Sequence, residues 1–60
     1  MQTYYVIKHD AAHLPRVQGC AVGTNPELFR KVPIEAMIWS VKVRAKNEIN
    51  AVHIARELKQ

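Results

Sequence analysis

The stretch MIWSVKVRAKNEINAVHIAREL, residues 37–58, decides the fold of this chain, because an alternating segment runs directly into a helical one. Met37, Trp39, Val41, Val43 and Ala45 share one parity, while Ser40, Lys42, Arg44 and Lys46 share the other. Successive strand side chains point to opposite faces, so the pattern predicts a strand with one buried face and one basic face. The period then changes. Asn47 is placed to cap a helix and Glu48 to sit near its positive end, after which Ala51, Val52, Ile54, Ala55 and Leu58 fall on one stripe of the helical wheel. Asn50, His53, Arg56, Glu57 and Gln60 face the other way.

A helical reading of residues 34–45 competes. Ile34, Met37, Ile38, Val41 and Ala45 also form a stripe, and Pro33 suits a first helical position, which would give short helices or a helix-turn-helix. The strand is preferred because Trp39, Val41 and Val43 favour extended backbone, and because a helix would turn Val43 to its charged side.

Working outward, residues 3–8 hold two tyrosines and two β-branched residues with apolar character on both alternating faces, as expected of an interior strand. Residues 10–15 form the turn that leaves it. Residues 16–22 read as a weaker edge strand, with Gly19 marking a bulge. Thr24 or Asn25 followed by Pro26 resembles a helix start, which Pro33 limits to about two turns, with Leu28 and Phe29 facing the core. The expected architecture is a single α+β domain over residues 1–60. A small antiparallel or mixed β-sheet of about three strands packs against a C-terminal α-helix, with a helical turn near residues 26–31.

Sixty residues leave little room for a catalytic cleft, since a chain of this size buries only about 60% of its unfolded surface. Apolar residues at 48% and charged ones at 23% fit a folded globule. A single cysteine, Cys20, forms no internal disulfide and suits a reducing compartment. No basic leader, long apolar run or membrane segment is read, so a cytoplasmic location is expected. The net charge of +4 favours nucleic acid or an acidic protein face as a partner.

Lys42, Arg44 and Lys46 are the leading surface candidates, because alternate strand residues about 6.6 Å apart can follow a polyanionic backbone. The bland alternative is a solvated sheet face, since no aromatic residue alternates with them as a stacking platform would. Arg30 and Lys31 could widen the patch, as could Arg16. Tyr4 and Tyr5 point to opposite faces, so one belongs to the core and the other could present an aromatic surface beside the basic strand. Trp39 reads as a core anchor.

His9, His13, Cys20 and His53 are potential zinc ligands, with Asp10 as a further donor. Their spacing matches no finger, and they are read as surface histidines and a small buried thiol. A Cys20 nucleophile lacks a placed base and orienting group. Gly19 and Gly23 lack the order of a phosphate loop. His53 with Glu57, and Lys46 with Asn50, give the outer helix face polar contacts that solubility alone would explain. The chain is therefore expected to be non-enzymatic, without cofactor, metal or small-molecule substrate. Two functions remain: a protein-interaction module or modulator, acting on a partner protein or by self-association as a dimer, and a nucleic-acid-binding accessory protein using the 42–46 strand face.

Overall fold

A computed structural model describes residues 1–59. In chain order the elements are β1 (Gln2–His9), β2 (Cys20–Gly23), a single helical turn α1 (Leu28–Lys31), a 3-10 turn (Ile34–Ala36), β3 (Met37–Ala45) and α2 (Glu48–Lys59). The strands form one antiparallel sheet in the order β2-β1-β3, with the apolar β1 in the centre as its composition requires. The α+β expectation holds. Residues 37–45 are extended rather than helical, because β1 pairs along them from Gln2 opposite Ala45 to His9 opposite Met37.

Alternation on each strand gives the sheet two apolar faces. Tyr4, Val6, Cys20, Val43 and Ala45 lie on one, closed by Ala51, Val52 and Ala55 of α2. Val6, Cys20, Ala45, Ala51, Val52 and Ala55 have no exposed surface there. Full burial contributes roughly 1.5–3 kcal/mol for each large side chain such as Val6 or Val52. Ile7 and Ala21 lie on the opposite face, covered by Val32 with Leu14, Leu28, Phe29 and Met37. The segment between β2 and β3 thus roofs part of the second face.

The helix begins as its sequence requires. Asn50 N–H donates to Asn47 Oδ1 at 2.8 Å, and Lys46 N–H donates to Asn50 Oδ1 at 3.2 Å, a reciprocal cap that satisfies two otherwise unpartnered donors. Asn50 therefore folds back over the helix start instead of simply facing outward. At the start of the 25–31 turn, Glu27 N–H donates to Asn25 Oδ1 at 2.9 Å. Val32 is extended ahead of Pro33, which ends that turn.

Four expectations need correction. The 16–22 segment is the expected edge strand only from Cys20, where β2 begins, and it has a turn in place of the bulge: Val17 and Cys20 exchange backbone hydrogen bonds of 2.7 and 3.0 Å across Gln18 and Gly19, whose φ values are 53° and 86°. Two consecutive positive φ angles make this a primed two-residue turn, which reverses the chain in the hand that matches strand twist. Met37 leaves the parity of Trp39, because the register shifts between Lys8 and His9 and carries it to the second face. His9 is buried at 1% exposure, beneath the loop that follows β1, whose Ala11 and Arg16 hydrogen-bond to it. Leu58 is 62% exposed although it shares the stripe of Ala51 by angle. The helix-facing rows of the sheet end at Lys8 and Trp39, and the last turn of α2 borders them through Arg56 and Lys59.

Candidate interaction surface

The sheet register sorts the sequence candidates. Tyr5 lies directly opposite Lys42, and Thr3 opposite Arg44, so these four side chains project from the same face. Lys42 and Arg44 are exposed and Tyr5 is half-buried. The Tyr5 ring meets Phe29 edge to face, with centroids 5.2 Å apart and planes at 83°, which holds it against the covering segment. Tyr4 is the core member of the pair, packed under α2, and leaves the surface set.

Lys46 lies just beyond β3 and is exposed. Its backbone N–H belongs to the helix cap, so its position is tied to the start of α2. Lys31 borders clefts along β2, against Gly23 and Thr24 on one side and Pro15 and Ala21 on the other. That is the far edge of the sheet from β3. Arg30 turns to Glu27, with Nη1 3.6 Å from Oε1. Arg16 donates from Nη1 to the His9 carbonyl at 3.0 Å, which commits it to the loop after β1. The compact basic group on this face is thus Lys42 and Arg44, with Tyr5 beside them.

The two sheet edges differ. On the outer side β2 is short and meets the isolated Val17 bridge. On the other side β3, nine residues long, pairs through eight of them with β1 alone, and among the described residues no strand lies on its second backbone edge. Ile38, at the irregular end of that strand, is 58% exposed. An unpaired edge offers a row of backbone donors and acceptors to any extended segment, and Lys42 and Arg44 are the charges along it.

A second cationic group escaped the sequence reading. Lys8, Trp39, Arg56 and Lys59 line one crevice of about 380 Å³ at the end of α2. The signal was the lysine that follows Tyr4 and Val6 on the helix-facing parity of β1, where an apolar residue is expected. Arg56 also departs from its outward assignment: Nη2 donates to the Gln18 carbonyl, while Nε is buried without a partner among the described residues.

His9 was missed as a buried group. Ala11 N–H donates to its Nδ1 at 3.2 Å, and Nε2 is enclosed without a partner. Burial pushes this imidazole below its ordinary value, an effect reinforced by the Arg16 and His13 charges and opposed by Asp10. A neutral ring suits the site, because Nδ1 must keep a lone pair to accept from Ala11. His13 and His53 are exposed, and Cys20 is buried. Among the described residues no three His, Cys, Asp or Glu side chains gather as metal ligands.

No family model, curated protein or solved structure matches the chain. Among the described residues no helix is long and apolar enough to cross a membrane.

Proposed function

We propose that this chain is a protein-interaction module that modulates a partner by accepting an extended, acidic segment of it along the free edge of β3. The carrying observation is the nine-residue strand paired on one side only. Added strands gain main-chain hydrogen bonds along such an edge, while side-chain pockets and charges select the sequence. Lys42 and Arg44 steer acidic residues to the edge, and the apolar Ile38 and half-buried Tyr5 offer the anchor that rim charges alone do not supply. The action is by occupancy, without chemistry, in a cytoplasmic setting.

The second reading is nucleic-acid binding on the open sheet face. It is favoured by the register that sets Tyr5 opposite Lys42 and Thr3 opposite Arg44, an aromatic ring beside two cations. Phosphate contacts there would position a strand without reading its sequence.

Capture from nuclease-treated and untreated lysate separates these readings when the wild-type chain is run beside Ile38→Lys and Lys42→Ala/Arg44→Ala, each checked for folding by circular dichroism. The edge reading expects a stoichiometric protein that survives nuclease and is lost with Ile38→Lys. Material that disappears with nuclease and with Lys42→Ala/Arg44→Ala would replace it with the nucleic-acid reading. Sedimentation at increasing concentration identifies self-association; a dimer abolished by Ile38→Lys would make a second copy the occupant of the edge.

A further inference from the structure

The Lys8, Trp39, Arg56 and Lys59 crevice has an oddity that helix electrostatics leaves half explained. Arg56 and Lys59 belong to the last turn of α2, where cations offset the unsatisfied carbonyl groups. That accounts for two of the charges. Lys8 has no such reason to be there: it lies between Cys20 and Trp39 in register, on a sheet face otherwise made of Tyr4, Val6, Val22, Val41 and Val43. Its ammonium adds a third positive charge to the same crevice, and among the described residues no carboxylate lies within ion-pair distance of any of the three. Like charges gathered without a counter-charge repel, and an anion seated among them relieves that repulsion.

Arg56 is also held in place. With one Nη2 hydrogen on the Gln18 carbonyl and Nε buried, the other terminal N–H groups are the donors left for a ligand. A guanidinium fixed in this way loses less freedom on binding than a solvated one. Trp39 supplies the aromatic part of the lining. Its half-buried indole packs against the main core, which keeps the ring in position beside the cations. Aromatic rings next to cationic side chains take a base and its phosphate together. The volume, about 380 Å³, falls at the small end of the roughly 300–1,000 Å³ typical of ligand pockets. It suits one nucleotide unit.

We infer that this crevice binds a nucleotide, its phosphate among Lys8, Arg56 and Lys59 and its base against Trp39. The nucleotide is either free or one unit of a single strand. The site lies on the opposite sheet face from Lys42 and Arg44; Trp39 is its one β3 residue, and the proposal does not rest on a partner strand docking at that edge.

Trp39 is the chain's one tryptophan, so its fluorescence excited at 295 nm reports on the crevice directly. The intact chain is titrated with adenosine 5′-monophosphate, inorganic pyrophosphate and an eight-nucleotide single strand, with affinities for the Trp39→Phe variant measured by calorimetry. The expected result is saturable quenching by a nucleotide-bearing probe. Affinity should fall about tenfold or more in Lys8→Gln and in Lys59→Gln, the scale of one lost charge-assisted hydrogen bond. Lys42→Gln should leave it unchanged. Equal affinity for the monophosphate and the single strand identifies the free nucleotide as the ligand. A much tighter, salt-sensitive single strand identifies nucleic acid. Three results would overturn the site: no quenching by either nucleotide probe, equal loss in Lys42→Gln, or pyrophosphate binding as well as the monophosphate with no effect of Trp39→Phe. Thermal melts of each variant confirm that lost affinity is not lost fold.

Discussion

Val52 and Leu58 occupy the same stripe of α2, yet truncating them should have very different consequences. Val52 has no exposed surface and closes the core above the sheet, while Leu58 is 62% exposed. Val52→Ala removes two carbon groups from a filled interior, a transfer loss of about 1.6 kcal/mol at roughly 0.8 kcal/mol each. A residual void of roughly 40 Å³ adds about 1 kcal/mol, and the better helix propensity of alanine returns about 0.5 kcal/mol. The net cost is about 2 kcal/mol. Leu58→Ala removes a larger side chain but uncovers little, and should cost below about 1 kcal/mol. A chain of this length is held by roughly 3–9 kcal/mol in all, so the first change should lower the melting temperature by about 8–16 °C and the second by only a few degrees. Urea and thermal melts followed by circular dichroism measure both, with an unchanged urea slope showing that the comparison concerns the native core. Equal losses would refute the placement of α2 on the sheet, because they would mean that Leu58 is covered as fully as Val52.

Three further outcomes follow from particular groups. His9 is held below its ordinary value of 6.5 by burial, so below about that pH the unfolded chain takes up a proton that the native ring resists. Stability should be constant above pH 7 and fall toward pH 5, by at most about 1.4 kcal/mol per pH unit, and His9→Gln should flatten this slope in urea melts; an unaltered slope assigns it elsewhere. Gly19→Ala forces a side chain into the φ of 86° and should cost about 1 kcal/mol or more, whereas Gln18→Asn, at a φ of 53°, should raise stability by a few tenths of a kcal/mol in the same melts. Asn47→Ala removes the acceptor for Asn50 N–H and should cost about 1 kcal/mol, read as a lower urea midpoint with a smaller loss in Asn47→Ser.

The elements that could be read from the chain were those whose signals are local. Alternation over residues 37–45 and the stripe after Asn47 each record one neighbour repeated along a period, and both survive in β3 and α2. The central place of β1 was visible because both of its faces are apolar. What escaped depends on where elements end or meet. Leu58 has the right angle but lies where the helix-facing sheet rows run out, a matter of relative length that no wheel encodes. His9 is polar by type and buried by the loop that follows it. Met37 changes faces through one irregularity in strand pairing. Gln18 gives a poor sequence cue for positive φ, so Gly19 alone suggested a bulge where a tight reversal exists. Among the surface candidates, the pairing of Tyr5 with Lys42 required the inter-strand register. The Lys8, Arg56 and Lys59 group required the helix to be laid on the sheet.

The central position of β1 also governs the order in which the molecule can assemble. Its first neighbour, β2, follows after residues 10–19, but its longer partner is β3, and the pairing of Gln2 with Ala45 joins residues from distant parts of the chain. The helix that covers Tyr4, Val6 and Cys20 comes later still. Closing such distant pairs costs loop entropy before burial returns it, which slows folding relative to helical bundles of the same size. During synthesis β1 and β2 therefore emerge before the helix that covers them, and their four-pair hairpin, marginal on its own, has its apolar underside bare. That surface is shielded only when residues 48–59 emerge, so the nascent protein passes through an adhesive state that its finished form conceals.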